Sequence, residues 1–222
     1  MTCSRVMVLA VAGLAMGWSA AAETIRFDRE KTGATPAGWR AAMTHSGGAP
    51  RWEVVKDQSA PSGKKVLKQV SGDATRARYP LAVVERARIQ DGRVSVMFKS
   101  ISGEVDQAAG IVWRWQDADN YYVVRANALE DNVVLYRVKG GERVAIEPKG
   151  TAPKTYGVKH VVPKQTWCRL GVEFEGRRIV VSFNGERLFE AEDGTFEGVG
   201  AVGLWTMADS VTEFDDFEFE GR

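Results

Sequence analysis

Glu104 and Asp106 are the two acidic residues whose spacing comes nearest to a catalytic pair. Retaining hydrolysis of a glycosidic bond uses two carboxyl groups, which lie roughly 5 to 5.5 Å apart. The segment from Glu104 resembles the strand motif Glu-x-Asp-x-Glu of such enzymes, with or without one residue inserted before the last glutamate, in which alternate side chains share a face. Ala108 and Ala109 occupy the two positions open to the final glutamate. The sequence therefore predicts that this strand lacks the acid of such a pair.

A second group of residues suits the binding of a polyhydroxylated ring. Five side chains are predicted to point outward from the sheets and to bind a ligand: Arg114, Tyr121, Arg125, Asn127 and Trp205. Trp205 joins this group because Val202 and Leu204 take the core side of its strand. An aromatic ring can stack on the apolar face of a sugar, while planar donors and acceptors bind hydroxyl groups. The alternative is a sheet face covered by a neighbouring loop, with Trp205 packed beneath it.

Oxygen ligands that suit calcium occur in the segment 117–120 and again at Asp215 and Asp216. An EF-hand loop needs glycine where Tyr121 stands, so a hairpin turn is the favoured interpretation of the first group. Hydrogen bonding to the backbone or exposure to solvent is favoured for the second, with a structural calcium as the alternative. We therefore expect no cofactor and no metal site.

The glycines of residues 198–203 match the dinucleotide-binding glycine pattern letter for letter. That motif requires a strand before it, a helix after it and an acidic residue about 20 positions further on. Here a strand follows the glycines, and the chain ends before a βαβ unit can close. We therefore interpret them as part of a tight turn that enters a β-strand.

Most of the chain has the two-residue period of β-strands. Val94, Val96 and Phe98 point to one side of their segment, and turn signals such as Asp91-Gly92 and Asn184-Gly185 separate such segments. No segment after residue 22 keeps an apolar stripe at helical spacing. Short strands between regular turns are typical of a sandwich or barrel.

Two hairpins give the strands a predicted register. A two-residue turn at Gly176-Arg177 brings three apolar pairs to one face: Phe174 with Ile179, Val172 with Val181, and Leu170 with Phe183. The next turn, at Asn184-Gly185, places Val181 opposite Leu188. A four-residue loop at 117–120 gives the other hairpin two pairs: Trp115 with Tyr122, and Trp113 with Val124.

Three segments carry a resemblance to a known superfamily: GIVWRWQDADNYYVVRAN from Gly110, WCRLGVEFEGRRIVVSFNGERLFEA from Trp167, and GVGAVGLWTMADSVTEFDDFEF from Gly198. They resemble concanavalin A-like jelly rolls, and most of all 3-keto-disaccharide hydrolase-like and laminin-G-like domains. The resemblance implies an all-β fold, a concanavalin A-like antiparallel β-sandwich that forms a single domain over residues 23–222. Lectins, glucanases and non-catalytic binding domains share this fold, so the fold alone assigns no function.

Residues 1–22 have the three parts of a signal peptide. Arg5 precedes an uncharged apolar run from Val6 to Trp18, and Ala20-Ala21-Ala22 offers a small-residue cleavage site before Glu23. The apolar run is too short to span a bilayer comfortably. We therefore expect cleavage after residue 22 and export to the periplasm or the extracellular space, without a transmembrane anchor.

The charge balance and the cysteine count after residue 22 limit which partners and which disulfides the chain can have. Without Arg5, 29 basic residues balance 29 acidic ones, whereas a nucleic-acid-binding protein carries a clustered basic surplus. Cys168 is the single cysteine after residue 22, which excludes an internal disulfide. It shares its side of the strand with Leu170 and Val172, so its thiol is predicted to be buried.

Three functions remain open at this point. The outward polar and aromatic residues favour recognition of a carbohydrate or glycoside ligand without catalysis. The family resemblance alone implies hydrolysis of a glycoside, such as one oxidised at C3, and no catalytic residue carries over from it. The mechanism of family 16 retaining glucanases is not expected, because its acid is missing. The third function is an envelope module that binds a protein.

Overall fold

A computed structural model describes residues 21–222 of the chain. Residues 1–20, which form most of the predicted signal peptide, lie outside the described residues. Among residues 21–222 no helix is long and apolar enough to cross a membrane. The strands are β1 (Glu23–Ile25), β2 (Arg40–Thr44), β3 (Trp52–Lys56), β4 (Lys65–Gln69), β5 (Tyr79–Ile89), β6 (Gly92–Ser102), β7 (Ala108–Asp117), β8 (Asn120–Asn127), β9 (Asn132–Lys139), β10 (Glu142–Ile146), β11 (Val158–Lys159), β12 (Cys168–Glu175), β13 (Arg178–Phe183), β14 (Glu186–Glu192), β15 (Gly200–Trp205) and β16 (Val211–Gly221).

These strands form two antiparallel sheets of eight strands each. Sheet A has the order β14-β13-β12-β6-β16-β4-β3, and β1 pairs with β16. Sheet B has the order β10-β9-β8-β7-β15-β5-β2, and β11 pairs with β9. Strands from the two ends of the chain are neighbours, as in β6 beside β16 and β15 between β5 and β7. This non-sequential order is the topology of a jelly roll.

The core lies between the two sheets, and the two-residue period of the strands builds it. Val94, Val96 and Phe98 of β6 are all buried there, which confirms the predicted alternation. Trp113 of sheet B stacks on Phe174 of sheet A, with 5.7 Å between the ring centroids. Each fully buried side chain of this size contributes about 1.5–3 kcal/mol, so a one-residue slip of any central strand is strongly disfavoured.

The first predicted hairpin is confirmed at its turn and corrected at its far end. The three apolar pairs around Gly176-Arg177 are those of β12 and β13. The predicted pairing of Val181 with Leu188 is wrong, because a register shift next to Val181 brings Phe189 opposite it. Phe189 is buried in the core and Leu188 is only partly buried.

The turn of the second predicted hairpin is correct, but the predicted pairing of its strands beyond the turn is wrong. Trp113, rather than Trp115, pairs with Tyr122, a difference of two residues. The register shift lies within β7 and includes Arg114, whose φ is 47°. A β-bulge of this kind re-aims side chains. As a result Trp113 lies in the core, and Trp115 lies on the opposite face of sheet B.

The glycines of residues 198–203 introduce strand β15, as predicted. A Cβ atom at Gly203 would lie 2.3 Å from the carbonyl oxygen of Ala82, and one at Gly200 would lie 2.3 Å from the carbonyl carbon of Arg114. Both neighbours are backbone atoms, which cannot rotate away. The glycines therefore allow β15 to approach β5 and β7 closely. This structural role explains the glycine pattern without phosphate binding.

Cys168 is a free and buried cysteine, 2% exposed, in β12. Burial raises the pKa of its thiol, which lowers the fraction of reactive thiolate. We expect a thiol reagent to label the native chain slowly and the unfolded chain at once. Comparison of labelling rates with and without denaturant measures this, and rapid labelling of the native chain would mean that β12 exposes this side chain.

Candidate ligand-binding face

The face of sheet B that points away from sheet A carries a second cluster of buried side chains, here called the outer face. All of its buried members come from β5, β7, β8, β9 and β15 of this one sheet. Its large aromatic members are Tyr79, Trp115, Tyr121, Tyr136 and Trp205. Packing of the two sheets against each other does not require these rings, so the outer face is the natural place for a binding function.

Trp205 occupies the centre of the outer face. In the strand register Trp205 pairs with Gly110, and Gly110 pairs with Arg125. A Cβ atom at Gly110 would lie 3.2 Å from the indole Cε3 of Trp205, so the glycine leaves room for that ring. Tyr79 and His45 continue a row of rings, each 5.3 Å from its neighbour between centroids.

Arg143 reaches over these rings from the edge strand β10. Its guanidinium carbon lies 4.6 Å from the ring centroid of Tyr136, 4.7 Å from that of Tyr79 and 5.7 Å from that of Trp205. All three distances fall within the range of cation–π attraction, about 6 Å. Its Nη1 donates a hydrogen bond to the sulfur of Met207 at 3.4 Å.

Arg125 lies deeper, and both of its terminal nitrogens donate to neighbouring acceptors. It is 1% exposed, and its Nη2 donates to a carboxylate oxygen of Glu130 at 2.8 Å and to the Tyr156 hydroxyl at 3.1 Å. Its Nη1 donates to the side-chain oxygen of Asn132, and its guanidinium lies over the ring of Tyr136. Burial would raise the pKa of Glu130, but the neighbouring Arg125 outweighs it, so the pKa of Glu130 is lowered.

Tyr156 brings the outer face to the surface. Its hydroxyl is hydrogen-bonded to that of Tyr136, and the two rings meet edge to face, 6.0 Å between centroids. The side chain is 50% exposed and belongs to the irregular segment between β10 and β11. Tyr156 is therefore the aromatic ring of this cluster that an incoming molecule can reach directly.

Asp106 is a buried acid at the end of the outer face. Asn127 donates a hydrogen bond to its carboxylate at 2.6 Å. The carboxylate of Asp209 accepts hydrogen bonds from the backbone N–H groups of residues 104–106, which fixes the turn that carries Asp106. Burial raises the pKa of Asp106 to about 6, although Arg125 opposes the shift.

The raised pKa of Asp106 makes a pH-dependent contribution to stability. The ordinary value is 3.8 and the folded value is about 6, so ionisation within the folded chain destabilises it as the pH rises between these values. We expect Asp106→Asn to remove this penalty. Relative to wild type, its free energy of unfolding should gain about 1.4 kcal/mol between about pH 5 and about pH 7.5.

Urea unfolding of wild type and variant at both pH values measures the difference. Glu104→Gln is the matched control, because it removes an exposed carboxylate from the same turn. A pH-independent effect of Asp106→Asn would contradict the titration of Asp106 in this range.

Four of the five predicted site residues share the outer face: Tyr121, Arg125, Asn127 and Trp205. All four are buried, so the alternative of a covered sheet face describes Trp205 better than an open stacking platform does. Their neighbours include the Thr44 hydroxyl, which is hydrogen-bonded to the Tyr121 hydroxyl at 2.6 Å.

Arg114 does not lie with the other four, and its predicted placement is wrong. Its guanidinium donates to the carbonyl oxygen of Gln90 and the carboxylate of Asp91, both at 2.9 Å. It also lies 5.4 Å from the ring centroid of Phe174 in sheet A. The bulge in β7 is the physical reason, since it turns Arg114 towards the edge of the sandwich.

Sequence reasoning missed Tyr79, Tyr136, Tyr156 and Arg143. One signal for Arg143 was present, because the glycine pair at 140–141 is a hairpin turn that pairs Val138 with Arg143. Alternation from that turn places Arg143 on the same face as Tyr136. Tyr79 follows an irregular segment and Tyr156 lies within one, and no local pattern brings them to this face.

The oxygen clusters that suit calcium are engaged in hydrogen bonds within the chain. In the hairpin turn 117–120, the first aspartate accepts hydrogen bonds from the backbone N–H of Asp119 and the side chain of Asn120. Asp215 and Asp216 both accept hydrogen bonds from the Ser62 hydroxyl, at 3.1 and 2.8 Å. Within residues 21–222 no three His, Cys, Asp or Glu side chains are grouped so that they could hold a metal ion.

Comparison with known proteins finds likeness in three-dimensional structure only. No protein-family model and no curated protein matches the chain by sequence. The carbohydrate-binding module CBM66 from Bacillus subtilis is similar, with a TM-score of 0.60 and 19% identity over 85% of this chain and 98% of that chain. A protein of unknown function from Shewanella oneidensis MR-1 has a TM-score of 0.55 and 13% identity over 96% of this chain and 89% of that chain.

A GH43 protein from Bacillus licheniformis has a TM-score of 0.53 and 14% identity, over 90% of this chain and 39% of that chain. At such low identities the likeness defines the fold and nothing finer. The predicted fold class is confirmed: the chain is a concanavalin A-like, jelly-roll β-sandwich. Membership of the 3-keto-disaccharide hydrolase-like family stays a prediction.

Proposed function

We propose that the chain is an exported carbohydrate-binding module whose ligand site is the outer face of sheet B. The observation that carries the proposal is the joining of aromatic rings and guanidinium groups on that face, from buried Trp205 and Arg125 to exposed Tyr156. Carbohydrate sites combine an aromatic surface for the ring with a few fixed polar groups for the hydroxyls. The polar groups here are held by partners such as Glu130 and Asn132, so they are oriented before a ligand arrives.

The fold supports the same proposal. The similar structure from Bacillus subtilis is a carbohydrate-binding module, and nearly all of that module is covered by this chain. Export rests on the predicted signal peptide. Sequencing of the mature amino terminus tests it, and the first residue should be Glu23.

Tyr156→Ala is the cleanest test of the proposed site. The ring is half exposed, so its loss should leave the melting temperature within a few degrees of the wild-type value. Loss of a stacking surface and of one hydroxyl should weaken binding of a glycan, first identified on an array, roughly tenfold. Titration calorimetry measures the affinity, and Val161→Ala, an exposed apolar residue outside the cluster, is the control. Equal affinity of wild type and Tyr156→Ala would remove this face from consideration.

A second candidate is hydrolysis of a glycoside, and Asp106 is the observation that favours it. General acids of glycosidases have raised pKa values, and the pKa of Asp106 is raised to about 6. Glu130 contributes to that shift and has a lowered pKa itself. Such a divergence between two neighbouring carboxyl groups is the pattern of an acid and its partner.

Release of free sugar from glycosides, including 3-keto-glycosides, tests this candidate. A hydrolase requires that Asp106→Asn abolish the release while binding of the same glycoside persists. Binding without release by the wild type would leave the non-catalytic module. Unmodified β-glucans should not be cleaved, because alanines occupy positions 108 and 109.

A further inference from the structure

We propose that the outer face recognises an acidic carbohydrate, and that Arg143 binds the carboxylate of a uronic acid residue. This inference rests on the proposed function, since it names the class of sugar that the same site would take. The observation behind it is the state of Arg143, a guanidinium held over three aromatic rings without an oxygen acceptor among the described residues.

The hydrogen-bond acceptors of four arginines in this part of the chain show how Arg143 differs from the other three. Arg78 donates to three carbonyl oxygens, at 2.6 to 3.1 Å. Arg114 and Arg125 each have a carboxylate and further oxygen acceptors. Arg143 has one hydrogen bond, to a thioether sulfur, which is a weak acceptor. A guanidinium has five N–H donors, so most of the donors of Arg143 remain for a ligand.

The surroundings hold the Arg143 guanidinium in place without neutralising it. Stacking on Tyr79, Tyr136 and Trp205 fixes the plane of the group, which reduces the entropy lost when a ligand binds. The chain partly buries Arg143, so its charge is less screened than that of a fully exposed side chain. Two acids interact with its charge: Glu130, which is already paired with Arg125, and Asp106, which accepts a hydrogen bond from Asn127.

A planar carboxylate matches this donor arrangement. Arginine binds carboxylates through two parallel N–H···O bonds, which are stronger than bonds to neutral hydroxyls. Tyr156, at the exposed end of the cluster, supplies a ring on which the adjoining sugar can stack. A neutral sugar would use the same ring and leave the Arg143 charge uncompensated, so charge is the property that should separate good ligands from poor ones.

Titration calorimetry with matched polysaccharides tests the inference. The probes are polygalacturonate, its fully methyl-esterified form, a sulfated glycan and a neutral glucan. We expect polygalacturonate to bind at least tenfold more tightly than its ester, and this preference to shrink as salt is added. A preference for the sulfated glycan over both would assign the site to sulfate esters and overturn the uronic acid proposal.

Arg143→Ala should weaken binding of polygalacturonate roughly ten- to hundredfold and should leave binding of the ester unchanged within about twofold. Arg143→Lys keeps the charge without the planar donors, so it should recover only part of the affinity. Arg178→Ala is the control, because Arg178 belongs to β13 of sheet A, away from the outer face, and pairs with Glu190. Its binding should equal that of wild type.

Two outcomes separate this inference from the proposed function. If the wild-type chain bound the neutral glucan or the ester as tightly as polygalacturonate, the uronic acid proposal would be overturned. The proposal of a carbohydrate-binding module would stand. Binding of none of the four probes would overturn the uronic acid proposal, and a broad glycan array without any hit would then count against the module itself.

Discussion

Arg125→Ala is expected to lower the free energy of unfolding by about 3 kcal/mol. The side chain is 1% exposed, and its hydrogen bonds join Glu130, Asn132 and Tyr156 around one guanidinium. Removal of the guanidinium leaves a void beneath Tyr136 and unpaired acceptors around it, both of which destabilise. From the sequence alone this residue is expected to tolerate replacement, since an outward arginine on a sheet contributes little to a core.

Denaturant unfolding followed by tryptophan fluorescence measures the effect. Arg40→Ala is the control, because its ion pair with Glu85 is exposed on both sides and such pairs contribute about 0.2–1 kcal/mol. A loss at Arg125 no larger than the loss at Arg40 would mean that the buried network around Arg125 does not form.

Trp205→Ala should have the larger effect, about 4 kcal/mol, within the range for replacement of a buried tryptophan by alanine. The indole is fully buried, contacts the ring of Tyr79 and forms part of the surface on which Arg143 lies. Gly110 cannot fill the void from the neighbouring strand, because it has no side chain. The surroundings are therefore expected to collapse only partly.

Trp167 offers the comparison, because it is partly exposed and lies next to the first residue of β12 in sheet A. Trp167→Ala should cost clearly less than Trp205→Ala in the same unfolding experiment. Trp205→Phe should recover part of the loss by refilling the void. Equal losses for the two alanine variants would show that Trp205 is not packed as described.

The sequence predicts the sandwich well because its information is local and repeated. Alternation in β6 and the pairs around the turn at Gly176-Arg177 follow from side-chain period and turn chemistry. The bulge in β7 was not predictable, since Arg114 adopts a φ of 47° in a segment whose letters also fit a regular strand. That single irregularity moves Trp115 from the predicted core side to the outer face and leaves Trp113 in the core.

The outer face is less predictable because it depends on pairing between distant segments. Trp205, Gly110 and Arg125 lie in one row only because β15 inserts between β5 and β7, and no turn pattern encodes that insertion. The hairpin turn at residues 140–141 is enough to predict that Arg143 lies on this face. The contacts of Arg143 with Tyr79 and Trp205 cannot be predicted in this way, because they cross several strands of the sheet.

Mapping of a bound glycan by nuclear magnetic resonance tests the central claim most directly, which is that the outer face of sheet B binds carbohydrate. Backbone and side-chain signals of the isotope-labelled chain are followed as the glycan is added. We expect the largest shifts at Tyr156 and Arg143, and smaller ones at the buried indole N–H of Trp205. Shifts confined to the outer side of sheet A, where Arg93, Ser95 and Gly171 line a shallow cavity, would contradict the claim.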